Sequence, residues 1–234
     1  MKINTYMSPG GILPHGFIER MRRIVGKEHF SQKEDDLISY SLDYWLYGIF
    51  LSQKGELPAL PSAVISPAST AQIQEIVECA RHYKVPITPF GGGSGVLGGA
   101  IPMNGSAILN LQRMNKFLNL DELSLVAESE AGIIGANLEL ELNSRGYSAG
   151  NIPQSLYCST LGGWISTRAA GQFSTKYGKI EDMVLGMEVV LSDGNLLNIK
   201  PVPRRSVGPS LKDIFLGCEG TLGIVTRATI SVHP

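Results

Sequence analysis

Six glycines fall within the nine positions from Gly91 to Gly99, and they constrain this 234-residue chain more than any other feature. Glycine lacks the Cβ atom that would block consecutive amides from turning to one side, so the run can form a concave nest of N–H groups that binds anions. The run directly follows a strand-like segment, Val85 to Thr88. The sequence therefore predicts a phosphate-binding loop, and in particular a candidate cradle for a diphosphate.

Part of this loop also matches the dinucleotide-binding pattern G-x-G-x-x-G, from Gly93 to Gly98. That pattern normally requires a helix that begins inside it, because the helix N-terminus holds the pyrophosphate. Pro102 follows closely and disfavours such a helix, and Pro86 and Pro89 fit a central parallel strand poorly. These features argue against a nicotinamide-binding Rossmann domain and favour a nest without a helix. A flexible surface loop without a ligand is the alternative.

The composition excludes several classes of partner. Hydrophobic residues make up 43% and charged residues 18% of the chain, which is typical of a globular protein. A net charge of -1, with no basic tract, gives no reason to expect nucleic acid. No uninterrupted apolar stretch has the length of a membrane span. We therefore expect neither nucleic-acid binding nor a membrane span, and any anionic ligand must be held by local amides and a few cations.

Cysteine and histidine usage bears on redox compartment and metals. Cys79, Cys158 and Cys218 are widely separated and form no C-x-x-C motif, and the four histidines are scattered. This pattern argues against a disulfide framework or a zinc site and suits a reducing compartment. We expect a cytoplasmic protein without a bound metal. The 27 glycines and 13 prolines imply many turns, which favours a strand-rich α+β design.

The first sixty residues predict a helical arm. Phe17 to Val25 suits a short basic helix, and the apolar residues from Lys33 to Phe50 suit one face of a single helix. Leu57 to Pro61 is then expected to be an extended linker, since proline disfavours helix at the preceding residue. We place a domain boundary near Pro61.

From Pro61 onward the pattern is more regular. A Ser69/Gln72 capping box and an apolar stripe predict a helix between two strands, which makes a β-α-β unit. The Asp193-Gly194 pair is typical of a hairpin turn. The further predicted strands are Ala107 to Leu111, Leu123 to Glu130, Met183 to Leu191, Leu196 to Ile199 and Gly223 to Val232, and the further predicted helices are Gly135 to Arg145, Leu161 to Ala170 and Leu211 to Leu216.

A second glycine-rich segment covers residues 150–171. Ser159 and Thr160 stand at a predicted helix start, where hydroxyls and free amides can bind a phosphate or a ribityl group. Trp164 is either a stacking partner for a ring or a core residue. Arg168 is either a phosphate partner or one half of a surface salt bridge.

A third segment runs from Gly217 to Val225. Here Glu219 precedes a Gly-Thr-Leu-Gly turn that leads into the final predicted strand. Tightly bent backbone at such a turn can present N–H and C=O groups to the edge of a flat heteroaromatic ring. The alternative is a helix-to-strand turn that requires glycine for its geometry alone. Cys218 is expected to pack as a small hydrophobe.

Three glycine-rich segments in this order resemble the FAD-binding domain of the vanillyl-alcohol oxidase and p-cresol methylhydroxylase family. The resemblance runs from about Pro61 to Val232 and includes Pro-Phe-Gly-Gly-Gly-Ser-Gly, Lys-Tyr-Gly-Lys-Ile-Glu-Asp and Gly-Cys-Glu-Gly-Thr-Leu-Gly. Within the family, residues 158–171 and Ser206 to Pro209 are most similar to alkyldihydroxyacetonephosphate synthase. Tyr177-Gly178 and the stretch from Leu185 to Gly194 are similar to FAD-linked D-lactate and glycolate dehydrogenases too.

The resemblance implies an α+β fold of two subdomains with FAD stretched between them. It implies a helical arm over residues 1–60 and an FAD-binding domain over residues 61–234, made of a small β-α-β subdomain and a larger mixed-sheet subdomain that divide near residues 112–120.

The resemblance also implies where FAD is held. The first segment would cradle the diphosphate, the second would line the ribityl and isoalloxazine side, and the third would contact the flavin or the adenine end. The implied residues are Pro89, Phe90, Gly91, Gly92, Gly93, Ser94 and Gly95; then Gln154, Ser155, Leu156, Tyr157, Cys158, Ser159, Thr160, Gly163, Thr167, Arg168, Ala169 and Ala170; and finally Glu219, Gly220, Thr221, Leu222, Gly223, Ile224 and Val225.

Two features qualify what the resemblance implies. Some relatives tether FAD covalently through a histidine in or near the first loop, and this loop has none, so we expect non-covalent FAD. Relatives also continue into a cap domain that supplies most groups acting on substrate, whereas this sequence ends at Pro234. We therefore expect a chain that lacks its cap or a site completed by a partner chain, and no catalytic residue is assigned.

Two functions are consistent with these expectations. The first is an FAD-dependent oxidoreductase or alkyl-transferring synthase that acts on a small molecule, either a 2-hydroxy acid or an acyl-dihydroxyacetone phosphate. The alternative is a flavin-binding subunit or fragment without independent catalysis.

Overall fold

The computed structural model describes residues 4–5, 11–103 and 105–234, so part of the expected arm, residues 1–3 and 6–10, lies outside the described residues. The chain divides into two compact units. The first comprises the described residues up to Arg113 together with Ser192–Gly194, and the second comprises Met114–Leu191 and Asn195–Pro234.

The first unit contains the helices that precede Pro61 as well as a four-stranded sheet of order β2-β4-β6-β5. Strands β4 and β5 both pair in parallel with β6, so β6 lies between the two strands that α4 connects. A separate two-stranded sheet pairs β1 with β3. The elements are β1 Asn4–Thr5, α1 His15–Val25, a 3-10 turn Lys27–His29, β2 Phe30–Ser31, α2 Glu34–Ser39, α3 Leu46–Gln53, β3 Glu56–Leu57, β4 Ala63–Ile65, α4 Thr70–Tyr83, β5 Ile87–Phe90 and β6 Ala107–Asn110.

Helix α4 confirms the prediction made from its capping signal and apolar stripe. The Ser69 hydroxyl accepts a hydrogen bond from the Gln72 amide at 3.3 Å, which satisfies one of the free N–H groups at the helix start. The stripe that includes Ile73, Ile76 and Ala80 is buried. The helix therefore forms where local capping and one-sided burial agree.

The prediction of a single helix from Lys33 to Phe50 is wrong, because the chain forms two helices there, α2 and α3. Between them the Asp43 carboxylate accepts a hydrogen bond from the Trp45 amide at 2.9 Å, and the Ser41 hydroxyl donates to the Leu37 carbonyl at 2.7 Å. Side-chain bonds of this kind offer the backbone an alternative to the helical pattern. Both Ser41 and Asp43 are buried, so the break is a packed part of the first unit.

The second unit is built on a five-stranded antiparallel sheet of order β10-β9-β11-β8-β7. The β9-β10 hairpin and the closing strand β11 confirm the predictions made from their patterns. The elements are β7 Phe117–Asp121, β8 Val126–Glu130, α5 Gly135–Asn143, α6 Leu161–Thr167, α7 Ser174–Tyr177, α8 Ile180–Met183, β9 Val184–Val190, β10 Leu196–Ile199, α9 Lys212–Phe215 and β11 Ile224–Ser231.

The single strand predicted from Leu123 to Glu130 is instead the end of a hairpin, β7-β8. The Asp121 carboxylate accepts hydrogen bonds from the amides of Leu123 and Ser124 at 3.0 and 3.1 Å, and these bonds close the turn. Leu125 completes the turn with a φ of 54°, an unusual value for a leucine.

Taken together, the sheets and helices of the two units confirm the α+β class. None of the described helices is both long enough and apolar enough to cross a bilayer. Among the described residues, no group of three or more His, Cys, Asp or Glu side chains is placed to hold a metal ion.

An ion-pair cluster on the second unit involves one of the predicted site residues. Glu181 contacts Arg168 Nε at 2.5 Å through one oxygen and Lys179 Nζ at 3.1 Å through the other. The hydrogen bond from Arg168, followed by the one from Lys179, lowers the pKa of Glu181 from 4.5 to about 2. Of the two alternatives for Arg168, the structure shows the salt bridge.

The depressed pKa of Glu181 predicts a pH-dependent contribution to stability. A carboxyl whose pKa is lower in the folded state stabilises the fold above its unfolded pKa and loses that contribution as the pH falls toward the folded pKa. We expect Glu181→Gln to lower the free energy of unfolding at pH 7 by about 0.5–1 kcal/mol, a modest value because solvent screens the cluster. The difference from wild type should shrink as the pH falls from 4.5 toward 2.

Urea unfolding of both proteins at pH 7, 5 and 3 measures this difference. Glu122→Gln, at an exposed turn position, is the control and should leave the unfolding free energy nearly unchanged at each pH. A Glu181→Gln deficit that stays constant from pH 7 to pH 3 would contradict the ion-pair origin.

Candidate functional site

The glycine run forms a loop without a helix, as the sequence predicted. Strand β5 ends at Phe90, and between it and β6 the described residues contain neither helix nor strand. Gly93 has a φ of 63°, and a Cβ atom at this position would lie 2.5 Å from Cζ of the buried Phe90 ring. Glycine is therefore required at position 93 both by backbone conformation and by the close approach of the ring.

The amides of this loop are available to a ligand. None of the N–H groups of residues 91–95 donates a hydrogen bond to another residue that the structure describes. The Gln112 side-chain amide donates to the Gly91 carbonyl at 3.0 Å, and the Gly95 carbonyl accepts from the Tyr44 amide at 2.8 Å. The carbonyls at both ends are thus engaged while the donors are free, which is the arrangement that an anion needs.

A pocket of about 410 Å³ opens beside the loop within the first unit. Tyr40 lines it, with its ring against Phe90 at a centroid distance of 4.9 Å and its hydroxyl accepting from Asn110 Nδ2 at 2.8 Å. Burial, followed by the charge of Asp36, raises the pKa of the Tyr40 phenol, so the group stays protonated at neutral pH. The complete lining is Ser39, Tyr40, Leu42, Asp43, Tyr44, Phe90, Gly92, Gly93 and Gln112.

The sequence did not predict that the α2–α3 segment lines this pocket, because its pattern indicated only part of a helical arm. Asp43 is its most unusual member, because its side chain is buried and its Oδ2 atom has no hydrogen-bond partner among the described residues. Nothing in the local sequence distinguishes Asp43 from the neighbouring acidic residues Asp35 and Asp36.

The second segment lies in the other unit and is held mainly by its own side chains. The Ser159 hydroxyl donates to the Ser155 carbonyl at 2.8 Å and accepts from Trp164 Nε1 at 2.7 Å. The Thr160 hydroxyl accepts from the Gly163 amide at 3.1 Å and caps α6. The hydroxyls that were expected to face a ligand therefore also stabilise the loop and the helix start.

Trp164 is a core residue. Only 1% of it is exposed, and a Cβ atom at Gly135 would come within 2.2 Å of its ring. Of the two alternatives for this residue, the structure shows core packing. Helix α6 ends after Thr167 at Arg168, whose φ of 53° turns the chain into Ala169 and Ala170.

The third segment lies directly against the second. The Gly217 amide donates to the Ile165 carbonyl at 3.0 Å, and the Glu219 amide donates to the Ser166 carbonyl at 3.1 Å. The side chains of Ile224 and Val225 are buried, so they contribute to the core rather than to a surface. The structure thus brings the two predicted segments of the second unit together at the end of α6.

The exposed members of these two segments form the surface that a ligand could reach. Tyr157 is 84% exposed and Leu222 is 50% exposed. The other exposed predicted site residues are Gln154, Cys158, Thr167, Arg168, Ala170, Glu219 and Thr221.

Asn151 lies near the start of the second segment, before the first predicted contact residue, Gln154. It is fully buried, and neither polar atom of its amide has a partner among the described residues.

Comparison with known proteins places this geometry in a family. Residues 61–200 match the family model described as an FAD binding domain. An alkyldihydroxyacetonephosphate synthase from Caenorhabditis elegans is 38% identical over 186 residues, 78% of this chain and 31% of the relative. Glycolate oxidase subunit GlcD from Bacillus subtilis is 33% identical over 217 residues, 92% of this chain and 44% of the relative.

Solved structures show the same fold. A structure of alkyldihydroxyacetonephosphate synthase superposes with a TM-score of 0.90 at 32% identity and covers 98% of this chain and 42% of that one. A structure of p-cresol methylhydroxylase superposes with a TM-score of 0.79 at 22% identity over 97% of this chain and 45% of that one, which supports the fold alone. The chain spans less than half the length of each of these relatives.

The family model covers more than half of the chain, and it includes the glycine loop whose free amides suit a diphosphate. It also includes the second segment and the β9-β10 hairpin. The chain therefore belongs to the family of FAD binding domains found in FAD-linked oxidoreductases and alkyldihydroxyacetonephosphate synthases, and its cofactor is FAD.

Proposed function

We propose that this chain holds FAD non-covalently as the flavin domain of an FAD-dependent oxidoreductase or an alkyl-transferring synthase. The observation that carries the proposal is that the N–H groups of residues 91–95 have no acceptor among the described residues. They lie in a loop that has no helix and that requires glycine at position 93. Because the net charge of the chain is -1, these local donors, rather than a general positive field, must attract the diphosphate.

The geometry of the first segment supports its assignment to the diphosphate. A side chain at Gly93 would collide with Phe90, and the Gly92 and Gly93 backbone lines the pocket beside the loop. Pro89 and Phe90 end β5 and set the direction of the loop, and Gly91 to Gly95 present the amides. In this proposal these residues bind the two phosphates and fix their position.

The second and third segments are proposed to contact the flavin side of FAD. Residues Gln154 to Thr160, Gly163 and Thr167 to Ala170 would line the ribityl chain and the isoalloxazine ring, and Glu219 to Val225 would contact the flavin or the adenine end. The backbone bonds from Gly217 and Glu219 to the end of α6 support a common role for the two segments. FAD, when bound, supplies the capacity to accept an electron pair from a substrate, and the chain binds and orients it.

The substrate is proposed to be a small molecule, either a 2-hydroxy acid or an acyl-dihydroxyacetone phosphate. This follows from the relatives named glycolate oxidase subunit and alkyldihydroxyacetonephosphate synthase. The three free cysteines support a reducing, cytoplasmic location as part of the same proposal.

The second candidate is a flavin-binding subunit whose substrate pocket is completed by a partner chain or a further domain. One observation favours it: the predicted site residues contain no histidine, and the guanidinium of Arg168 is already paired with Glu181. The site residues therefore offer few groups for proton transfer to or from a substrate.

The diphosphate assignment predicts that a side chain in the loop expels FAD. We expect Gly92→Val to lower FAD affinity at least about a hundredfold, because the branched side chain fills the surface where the phosphates meet the amides. Gly92 is not among the glycines with positive φ, so the substitution does not place a side chain on a left-handed backbone. The measurement is FAD stoichiometry from the 450 nm absorbance after gel filtration, followed by titration of the apoprotein.

The control for this variant is Gly146→Val in the second unit. Gly146 has a φ of 83° and open space around its Cβ position, so its substitution tests general backbone damage without filling the nest. Far-UV circular dichroism establishes that both variants are folded. A folded Gly92→Val protein with full FAD content would show that the diphosphate lies elsewhere.

The absence of a histidine from the glycine loop predicts that FAD is dissociable. Acid denaturation of the purified holoprotein should leave a colourless precipitate and release all flavin into the supernatant. The absorbance of the supernatant, compared with that of the intact protein, quantifies the release. Yellow colour that stays in the precipitate would demonstrate a covalent link.

The two candidate functions differ in whether the chain oxidises a substrate unaided. If it is an autonomous oxidoreductase, anaerobic D-lactate or glycolate should bleach the flavin absorbance of the purified chain. If it is a flavin-binding subunit, these acids and acyl-dihydroxyacetone phosphate should leave the spectrum unchanged until a partner is added. Dithionite, which reduces any accessible flavin, serves as the positive control.

A further inference from the structure

We propose that Asp43 contacts FAD directly and that its Oδ2 atom accepts a hydrogen bond from a sugar hydroxyl next to the diphosphate. The proposal rests on the assignment of the diphosphate to the glycine loop and adds to it a residue from outside the matched family region, which begins at residue 61. It also gives the break between α2 and α3 a function.

The two carboxylate oxygens of Asp43 have different surroundings. Oδ1 accepts a hydrogen bond from the Trp45 amide at 2.9 Å, which shapes the turn between α2 and α3. Oδ2 is buried and has no partner among the described residues, and the residue as a whole is only 7% exposed. Buried acceptors of this kind are rare, since leaving one unpaired costs its full desolvation.

The unpaired oxygen lies at the glycine loop. A Cβ atom built on Gly95 would be 3.5 Å from Asp43 Oδ2, so the oxygen is in van der Waals range of that position. The adjacent Tyr44 amide donates to the Gly95 carbonyl at 2.8 Å and fastens the two segments together. Asp43 lines the same 410 Å³ pocket as Gly92 and Gly93, so a ligand on the loop is within reach of its carboxylate.

The chemistry of Oδ2 determines which part of the ligand can reach it. A carboxylate oxygen only accepts hydrogen bonds, and phosphate oxygens both lack a proton to donate and repel it. The partner must therefore be a donor that is close to the diphosphate but not part of it. FAD carries hydroxyls on both sides of the diphosphate, on the adenosine ribose and on the ribityl chain, and these meet the requirement.

The decisive experiment replaces Asp43 with asparagine. In Asp43→Asn the side-chain oxygen can still accept from the Trp45 amide, so the turn keeps its bond, but the unpaired acceptor becomes an amide donor. We expect the Kd for FAD, from titration of the apoprotein of the full chain, to rise about tenfold to a hundredfold. The urea midpoint of the apoprotein should stay unchanged, which a purely structural role would not allow.

The matched control is Asp35→Asn, the same chemical change at an exposed position of α2. Its Kd for FAD should remain within about twofold of wild type. An unchanged Kd in Asp43→Asn would overturn the proposal. So would a lower Kd, which would show that the carboxylate repels the diphosphate, or a higher Kd accompanied by an equal loss of apoprotein stability.

Two FAD analogues identify the hydroxyl. One lacks both hydroxyls of the adenosine ribose, and the other has a plain pentamethylene chain in place of ribityl. The analogue that lacks the hydroxyl bonded to Asp43 should bind wild type and Asp43→Asn with the same Kd. The other analogue should preserve the difference in Kd between the two proteins. A difference preserved with both analogues would overturn the proposal. Gly92→Val distinguishes a failure of the Asp43 proposal from a failure of the diphosphate assignment. If Gly92→Val loses FAD while Asp43→Asn binds FAD normally, only the role of Asp43 is contradicted.

Discussion

The contact between Gly93 and the Phe90 ring is the constraint on which the first unit's site depends. Phe90 is the last residue of β5 and is buried, and its ring occupies the space that any side chain at position 93 would need. Gly93 has a positive φ, and residues 91–95 belong to neither a helix nor a strand. The close packing of the loop on Phe90 therefore goes together with a row of amides that have no acceptor among the described residues.

The elements that could be predicted from sequence are those whose signals are local and agree with burial. Helix α4 has both a capping serine and a one-sided apolar stripe. Two of the failures, at residues 33–50 and 123–130, share one cause. In each, an aspartate side chain, Asp43 or Asp121, accepts backbone amide bonds and turns the chain. Residue type alone does not tell whether an aspartate ends an element or lies on its solvent face.

For the candidate site, the sequence indicates the segments better than it indicates which atoms are free. Ser159 and Thr160 are at the predicted helix start, yet their hydroxyls already bond to Ser155, Trp164 and Gly163. Groups without a partner among the described residues include the backbone amides of residues 91–95 and one oxygen of Asp43. Which hydrogen bonds form depends on the conformation of the folded chain, even for residues three to five positions apart, so a motif alone does not show which donors and acceptors stay available.

The free donors and the free acceptor have opposite polarity and lie side by side at Gly95. A row of amides alone would bind many anions, because any phosphate or sulfate satisfies it. A carboxylate beside that row weakens the binding of a bare anion by charge repulsion. It favours the binding of a molecule in which a hydroxyl follows the phosphate. In the binding mode that we propose, the pairing of nest and acceptor would supply selectivity for a sugar-linked diphosphate, which the overall charge of -1 could not supply.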